Sequence, residues 1–118
     1  MLSMRRVGKQ SLQRRMPAKL VWTPPARAGA KKIYVDIART QPEAAERYFK
    51  RFRDKALMLI DQPRLRRRHP EISPSARMLV EAPYVILDET CPDTDEGPVD
   101  LVEIVHVLDG RRDLRGLY

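Results

Sequence analysis

Apolar residues in the first half of the chain recur at the spacing of one helix face and predict two helices. The first helix follows Thr23 and a proline pair, a combination typical of a helix start. Residues 19–23 (KLVWT), which precede it, are predicted to form a short strand. The predicted buried face of this helix comprises Ala26, Ala30, Ile33 and Ile37.

The second predicted helix has the stronger pattern. Thr40 and Glu43 match a capping box, and Pro42 suits the first helical turn, where its missing N–H costs nothing. The pattern ends near Asp61, before Pro63. Because only two or three residues separate the helices, we expect an antiparallel hairpin. The apolar positions of the second helix are Ala45, Tyr48, Phe49, Phe52, Ala56, Leu59 and Ile60.

The second half of the chain changes to strand patterns. Residues 63–75 are a basic connection broken by prolines, and alternating residues at 77–82 and 84–89 predict two strands on either side of Pro83. An acidic, turn-rich loop at residues 91–99 follows. Residues 101–108 are apolar on both faces, apart from a glutamate and a histidine, and therefore predict a central strand.

These elements predict an α+β fold of two layers in the order β-α-α-β-β-β, with the helical hairpin packed on one face of a small, mainly antiparallel sheet. We expect a single domain at residues 16–118, preceded by a flexible basic extension at residues 1–15. The other sheet face is predicted to carry Arg77, Leu79 and Glu81 and to lack a covering element. That open face is expected to grip other macromolecules.

Charge is distributed unevenly along the 118 residues, whose net charge is +7. Residues 47–68 have a net charge of +7, and residues 69–100 have a net charge of −7. Such a dipolar surface suits a protein-binding protein at least as well as a nucleic-acid-binding one. No apolar run could span a membrane and no signal peptide is apparent, so a cytoplasmic protein without membrane contact is expected.

Residues suited to catalysis or metal binding are sparse. The single cysteine, Cys91, rules out a cysteine-cage metal site, and its acidic neighbours reduce its reactivity. His69 is expected in a solvated loop. Strand alternation places His106 and Glu103 on opposite faces, so these two are not expected to pair. The sequence therefore predicts no catalytic residue, no metal and no cofactor.

Arginines are the remaining candidates. Arg77, Arg111 and Arg112 are expected to converge at one end of the sheet, where they could bind phosphate. Tyr118 is either a functional exposed phenol or part of a frayed terminus. A dense cluster is either a solvated charge run or a patch for phosphate or an acidic partner. This basic cluster comprises Arg64, Arg66, Arg67 and Arg68.

Three segments give residues 16–118 a resemblance to the ParE branch of the RelE/ParE toxins. They are TQPEAAERYFKRF, the arginine within SARMLVEAPYVILDE, and VEIVHVLDGRRDL. The last is the most specific, because ParE proteins typically follow the central strand with His-Gly, a variable residue and Arg-Asp-Leu. Here Asp109 replaces the histidine, and Ser75 replaces a glycine usually found two places before Arg77.

The resemblance implies the same β-α-α-β-β-β fold and the toxin component of a type II toxin–antitoxin system, which poisons DNA gyrase without enzymatic turnover. A cognate ParD-like antitoxin would wrap around the toxin in a hetero-oligomer, and the toxin alone would not bind a specific DNA sequence. The resemblance places Arg77 and Arg112 at family arginine positions.

Two alternatives stay open at this stage. One is a RelE-type, ribosome-dependent mRNA endonuclease in which Arg77 and Arg112 hold the phosphate and Tyr118 or His106 transfers a proton. The other is an inactive toxin-like protein that only binds an antitoxin.

Overall fold

The element order predicted from the sequence is confirmed by a computed structural model, which describes residues 17–117. The basic extension predicted at residues 1–15 and the candidate Tyr118 lie outside the described residues. The elements are β1 Lys19–Trp22, α1 Pro24–Ala38, α2 Pro42–Asp61, β2 Arg77–Glu81, β3 Tyr84–Cys91, β4 Leu101–Asp109 and a short 3-10 helix at Leu114–Leu117.

The four strands form one sheet in the order β1-β4-β3-β2. β1 runs parallel to β4, whereas the β4–β3 and β3–β2 pairs are antiparallel. β4 therefore has a strand on each side, as its two apolar faces predicted. The helical hairpin covers one sheet face, which confirms the predicted α+β fold of two layers.

The cap predicted for α1 is confirmed, but the one predicted for α2 is wrong. The Thr23 hydroxyl accepts the N–H of Ala26 at 3.3 Å and donates to the Ile104 carbonyl at 2.9 Å, so it also joins the helix start to β4. At α2, Pro42 takes the first helical position. Gln41 is therefore the N-cap, without a side-chain cap, and Thr40 lies one residue too early.

The main core lies between the hairpin and the sheet. Phe52, a fully buried side chain of α2, makes edge-to-face contact with Tyr84 of β3 at a centroid distance of 5.8 Å. At Gly29 of α1, a Cβ atom would lie 2.2 Å from the Val107 carbonyl oxygen, so only glycine allows α1 to approach β4 this closely. Further buried members of this core are Ala26, Ala30, Ile33, Ala56, Leu59, Ile86, Val102 and Ile104.

The prediction of which β2 face lies open is wrong. Leu79 packs into the main core, and the Glu81 carboxylate lies 3.3 Å from Lys55 Nζ and 3.6 Å from Arg51 Nη1, both on α2. This face therefore lies beneath the hairpin. Met78, Leu79 and Val80 are all apolar, so the strand sequence does not alternate clearly between apolar and polar residues. The sequence therefore does not show which alternate residues face the hairpin, and the wrong choice exchanges the two faces.

The prediction that no chain segment covers the outer face, the one turned away from the hairpin, is also wrong. Val85, Leu87 and Leu108 are buried there. Leu114 and Leu117 of the 3-10 helix pack against them, with help from Ile72 of the 62–76 connection. An element of four residues is too short to produce a periodic pattern in the sequence, so the sequence does not predict it. Exposed apolar residues remain on the two edge strands: Val21 on β1 and Val80 on β2.

A β-bulge in β4 changes the expected positions of its polar residues. Asp88 pairs with Ile104 and Leu87 pairs with His106, so Val105 is the extra residue. Glu103 pairs with Glu89, which shares the outer face with Leu87. Glu103 and His106 therefore lie on the same face, and the prediction of opposite faces, which assumed regular alternation, is wrong.

Candidate functional sites at the two ends of the sheet

The predicted convergence of three arginines is wrong, because they lie at opposite ends of the sheet. Arg77 begins β2 and pairs with Asp88, whereas Arg111 and Arg112 follow the last residue of β4. β2 and β4 run in the same direction because both are antiparallel to β3, so the start of one is far from the end of the other. We refer to the Arg77 end and the Arg111 end of the sheet.

At the Arg77 end, a buried ion pair joins the basic cluster to β3. Arg66 Nε donates to Asp88 Oδ1 at 3.1 Å, and Arg66 Nη2 contacts Asp88 Oδ2. Arg66 Nη1 donates to the Pro63 carbonyl at 2.7 Å. Burial raises the pKa of Asp88, and the guanidinium of Arg66 opposes this shift. Both side chains are almost fully buried, so the pair is part of the structure and does not form a surface patch.

Arg77 is a buried cation with unused donors. Its residue surface is only 4% exposed, and its Nη1 donates to the Arg66 carbonyl at 2.9 Å. Its Nε and Nη2 have no hydrogen-bond acceptor among the described residues, although Nη2 lies 3.5 Å from Asp95 Oδ1. Burial, followed by the positive charges of Arg68 and Arg66, lowers the pKa of Arg77. Arg77 is therefore a buried cation whose hydrogen-bonding capacity is only partly used.

The rest of the basic cluster mainly binds the acidic 91–99 loop. Arg68 Nε donates to Asp95 Oδ1 at 2.8 Å, and its Nη1 lies 2.8 Å from Asp93 Oδ1. Arg64 donates to three loop carbonyls, those of Thr94 (2.7 Å), Glu96 (3.1 Å) and Gly97 (2.5 Å). Arg67 is exposed. Most of the positive charge predicted for this surface is thus neutralised or engaged within the chain itself.

At the Arg111 end, the arginines face solvent. Arg111 Nε donates to Asp109 Oδ1 at 2.9 Å and Nη2 donates to Asp109 Oδ2 at 2.5 Å, while 76% of the Arg111 side chain stays exposed. This forked contact lowers the pKa of Asp109 to about 2. Arg112 is also exposed. An exposed cation beside a pre-ordered ion pair suits an acidic or phosphate-bearing surface on a partner.

The two histidines lie in different surroundings. His69 Nδ1 lies 2.8 Å from Glu71 Oε1 in the connection before β2. Burial, and then the charge of Arg112, lower the pKa of His106. Cys91 is exposed and free, and no group of His, Cys, Asp or Glu within residues 17–117 is arranged to hold a metal.

Sequence reasoning missed an aromatic groove between the two helices. The groove has a volume of about 590 Å³ and is lined by Trp22, Tyr34, Phe49 and Phe52, with Arg27, Lys31 and Arg53 adding positive charge. Phe49 is 42% exposed and meets the Tyr34 ring edge-on at a centroid distance of 5.6 Å. The adjacent aromatics Tyr48 and Phe49 were a signal, because neighbouring helix positions cannot both face the sheet.

The fold places the chain in a class of small two-layer proteins, represented by a solved structure described as "Chromosomal ParDE TA system from P. aeruginosa". The match covers 80% of this chain and 97% of that chain, with a TM-score of 0.63 and 20% identity. A family model described as "ParE toxin of type II toxin-antitoxin system, parDE" matches residues 20–114. The chain therefore belongs to the ParE toxin family. No curated protein matches it.

No helix within residues 17–117 combines the length and the apolar character that crossing a membrane requires.

Proposed function

We propose that the protein inhibits bacterial growth in the cytoplasm by binding DNA gyrase, without turning over a substrate and without binding a specific DNA sequence by itself. The observation that carries this proposal is the ParE toxin family match over residues 20–114. The exposed arginines that follow β4, Arg111 and Arg112, are the proposed target contacts. Both arginines lie within the segment VEIVHVLDGRRDL, which is the part of the sequence that most resembles ParE proteins.

The positions of the arginines disfavour the mRNA endonuclease alternative. That mechanism needs Arg77 and Arg112 on one phosphate. The four residue steps from Arg77 to the end of β2 alone span roughly 13 Å at the rise of a β-strand. The two guanidinium groups therefore cannot hold one phosphate group in this fold.

We further propose that a ParD-like antitoxin neutralises the toxin by seating a segment in the aromatic groove. The groove combines an apolar aromatic floor with three cationic side chains and one carboxylate, Glu46, which accepts a hydrogen bond from the Tyr34 hydroxyl. A disordered antitoxin segment with apolar and acidic residues would fold into such a groove on binding. Exposed Phe49 is the natural anchor, because large aromatic side chains dominate the binding energy of protein interfaces.

A supercoiling assay with the purified full chain tests the gyrase proposal. We expect the protein to inhibit gyrase, and we expect Arg112→Ala to weaken inhibition by about tenfold or more because a charged contact is lost. Arg67→Ala is the matched control, since Arg67 is an exposed arginine at the other end of the sheet. Normal supercoiling at toxic doses, with codon-linked cuts in cellular mRNA, would replace this proposal with the endonuclease. Expression without any growth defect would favour the inactive toxin-like protein.

Co-expression with a ParD-like antitoxin that rescues the unmodified toxin tests the groove. Phe49→Ser should leave toxicity intact but prevent rescue by the antitoxin, because the aromatic anchor is lost. Met58→Ser is the control: Met58 is 48% exposed on the same helix and lies nine residues along, about half a turn around the axis. Full rescue of the Phe49 variant would show that the antitoxin binds elsewhere.

A further inference from the structure

Two arginines, Arg68 and Arg77, lie directly opposite each other at the Arg77 end. Arg68 and Arg77 form an isolated antiparallel bridge, and the His69 N–H donates to the Ala76 carbonyl beside it at 2.8 Å. Residues opposite each other in an antiparallel bridge share a face, and like charges in such a pair are destabilising. An anion between the two guanidinium groups removes that penalty.

The chain supplies this anion from its own acidic loop. Asp95 Oδ1 lies 2.8 Å from Arg68 Nε and 3.5 Å from Arg77 Nη2, so one carboxylate oxygen faces both arginines. Asp93 adds a second carboxylate 2.8 Å from Arg68 Nη1. Asp95 leaves Nε and Nη2 of buried Arg77 without hydrogen bonds, which means that it satisfies the site incompletely.

The charges at this site define what would replace the loop. Asp88 neutralises Arg66, which leaves the positive charges of Arg68 and Arg77 for Asp93 and Asp95. A phosphate monoester carries a charge of about −1.5 to −2 at neutral pH and several acceptor oxygens. It would match both the charge of the two carboxylates and the donors that Asp95 leaves unused. Guanidinium groups bind such tetrahedral oxyanions through paired N–H donors.

We propose that Arg68 and Arg77 form a binding site for a terminal phosphate group, and that the 91–99 loop is a lid whose carboxylates fill the site when phosphate is absent. Only 5% of the Arg77 side chain is exposed, so a narrow terminal phosphate reaches it more easily than a phosphodiester with sugars on both sides. The Asp95 side chain is 78% exposed, so its ion pairs compete with solvent and are readily displaced. This site is separate from the proposed gyrase contacts and from the aromatic groove.

The lid can be weakened without detaching its backbone. Arg64 holds the loop through backbone carbonyls, which Asp93→Asn and Asp95→Asn leave in place. In the full chain, we expect the D93N/D95N variant to bind inorganic phosphate at least about tenfold more tightly than the unmodified protein. Isothermal titration calorimetry at constant ionic strength measures this difference. Adding Arg68→Gln to the double variant should abolish the gain.

The matched control is D36N/D54N, which makes the same change in net charge. Asp36 and Asp54 also sit in exposed ion pairs, with Arg39 and Lys50, but on the helices. An equal gain in this control would mean an adventitious ion only and would overturn the proposal. An unchanged affinity in D93N/D95N would overturn it too.

Two further measurements identify the ligand and guard against misfolding. Uridine 5′-monophosphate and uridine are titrated in parallel with inorganic phosphate. Uridine carries no phosphate group, so a protein that binds uridine but neither phosphate compound would contradict a phosphate site. Tighter binding of the monophosphate than of phosphate would assign the site to a nucleotide end, and equal binding would assign it to free phosphate.

If the Arg68→Gln variant does not fold, NMR signals of the Arg68 and Arg77 Nε–H groups in D93N/D95N replace it. Their shift on adding phosphate supports the site, and its absence refutes it.

Discussion

The two ends of the sheet carry the same kind of residue in opposite circumstances. At the Arg77 end, arginines are buried or tied to carboxylates more than 20 residues away along the chain. At the Arg111 end, Arg111 pairs with a carboxylate two residues away and remains in water. Burial therefore separates an arginine that holds the fold together from one that can meet a partner. Charge counted along the sequence does not make this distinction.

The largest expected difference between the ends is in stability. Asp88→Ala should lower the free energy of unfolding by about 3–5 kcal/mol, because it leaves the buried Arg66 charge without a partner. Asp109→Ala at the other end should change it little, since its ion pair is exposed. Urea unfolding of the full chain, followed by circular dichroism, gives both values. Similar losses of unfolding free energy for the two variants would contradict the distinction between a buried, stabilising ion pair and an exposed one.

A smaller loss of stability is expected at the Arg111 end, where apolar packing of the 3-10 helix, and not ion pairing, stabilises the structure. Leu117 packs on the outer face beside buried Leu108. Leu117→Ala should cost about 1–2 kcal/mol of unfolding free energy, less than at a fully buried leucine. Leu57→Ala is the control, because Leu57 is 48% exposed on α2. If both variants unfold at the same urea concentration, the 3-10 helix does not hold this end.

The smallest expected effect is on the titration of Asp109. Its pKa of about 2 in the folded protein lies below the ordinary value of about 3.9. The pair therefore stabilises the fold above roughly pH 4, and this contribution is lost as the pH falls towards 2. Arg111→Gln should move the NMR titration midpoint of Asp109 up towards its ordinary value. Asp113, whose pKa is lowered by Arg115, should be unaffected; an unmoved Asp109 would contradict the pair.

The sequence predicted the helices well because their signals are local and repeated. Thr23 and the prolines define the start of α1, and the three- and four-residue spacing predicted its buried face. The same reasoning failed at β2 and β4. Three consecutive apolar residues in β2 conceal which of its faces is buried. The extra residue in β4, Val105, is recognised only from the pairing of β4 with β3. Local patterns contain no information about either.

The sites were less predictable because their contacts join distant segments. Arg66 and Asp88 are 22 residues apart, and nothing in the basic run marks Arg66 as its buried member. One signal was available: Asp88 follows four mostly aliphatic residues in β3, and a carboxylate inside such a strand requires a buried cation. The sequence indicates that Arg111 and Arg112 follow the central strand, but their separation from Arg77 depends on strand directions that no local pattern reveals.

The β-bulge at Val105 lies between an apolar part and an acidic part of the outer sheet face. Towards the chain's C-terminal helix the surface is aliphatic and already sheltered. Beyond the bulge, the half-buried Glu89 and Glu103 pair with each other across β3 and β4. The surfaces that we propose for recognition all lie at the margins of the sheet: the aromatic groove, the 91–99 loop and the arginines that follow β4.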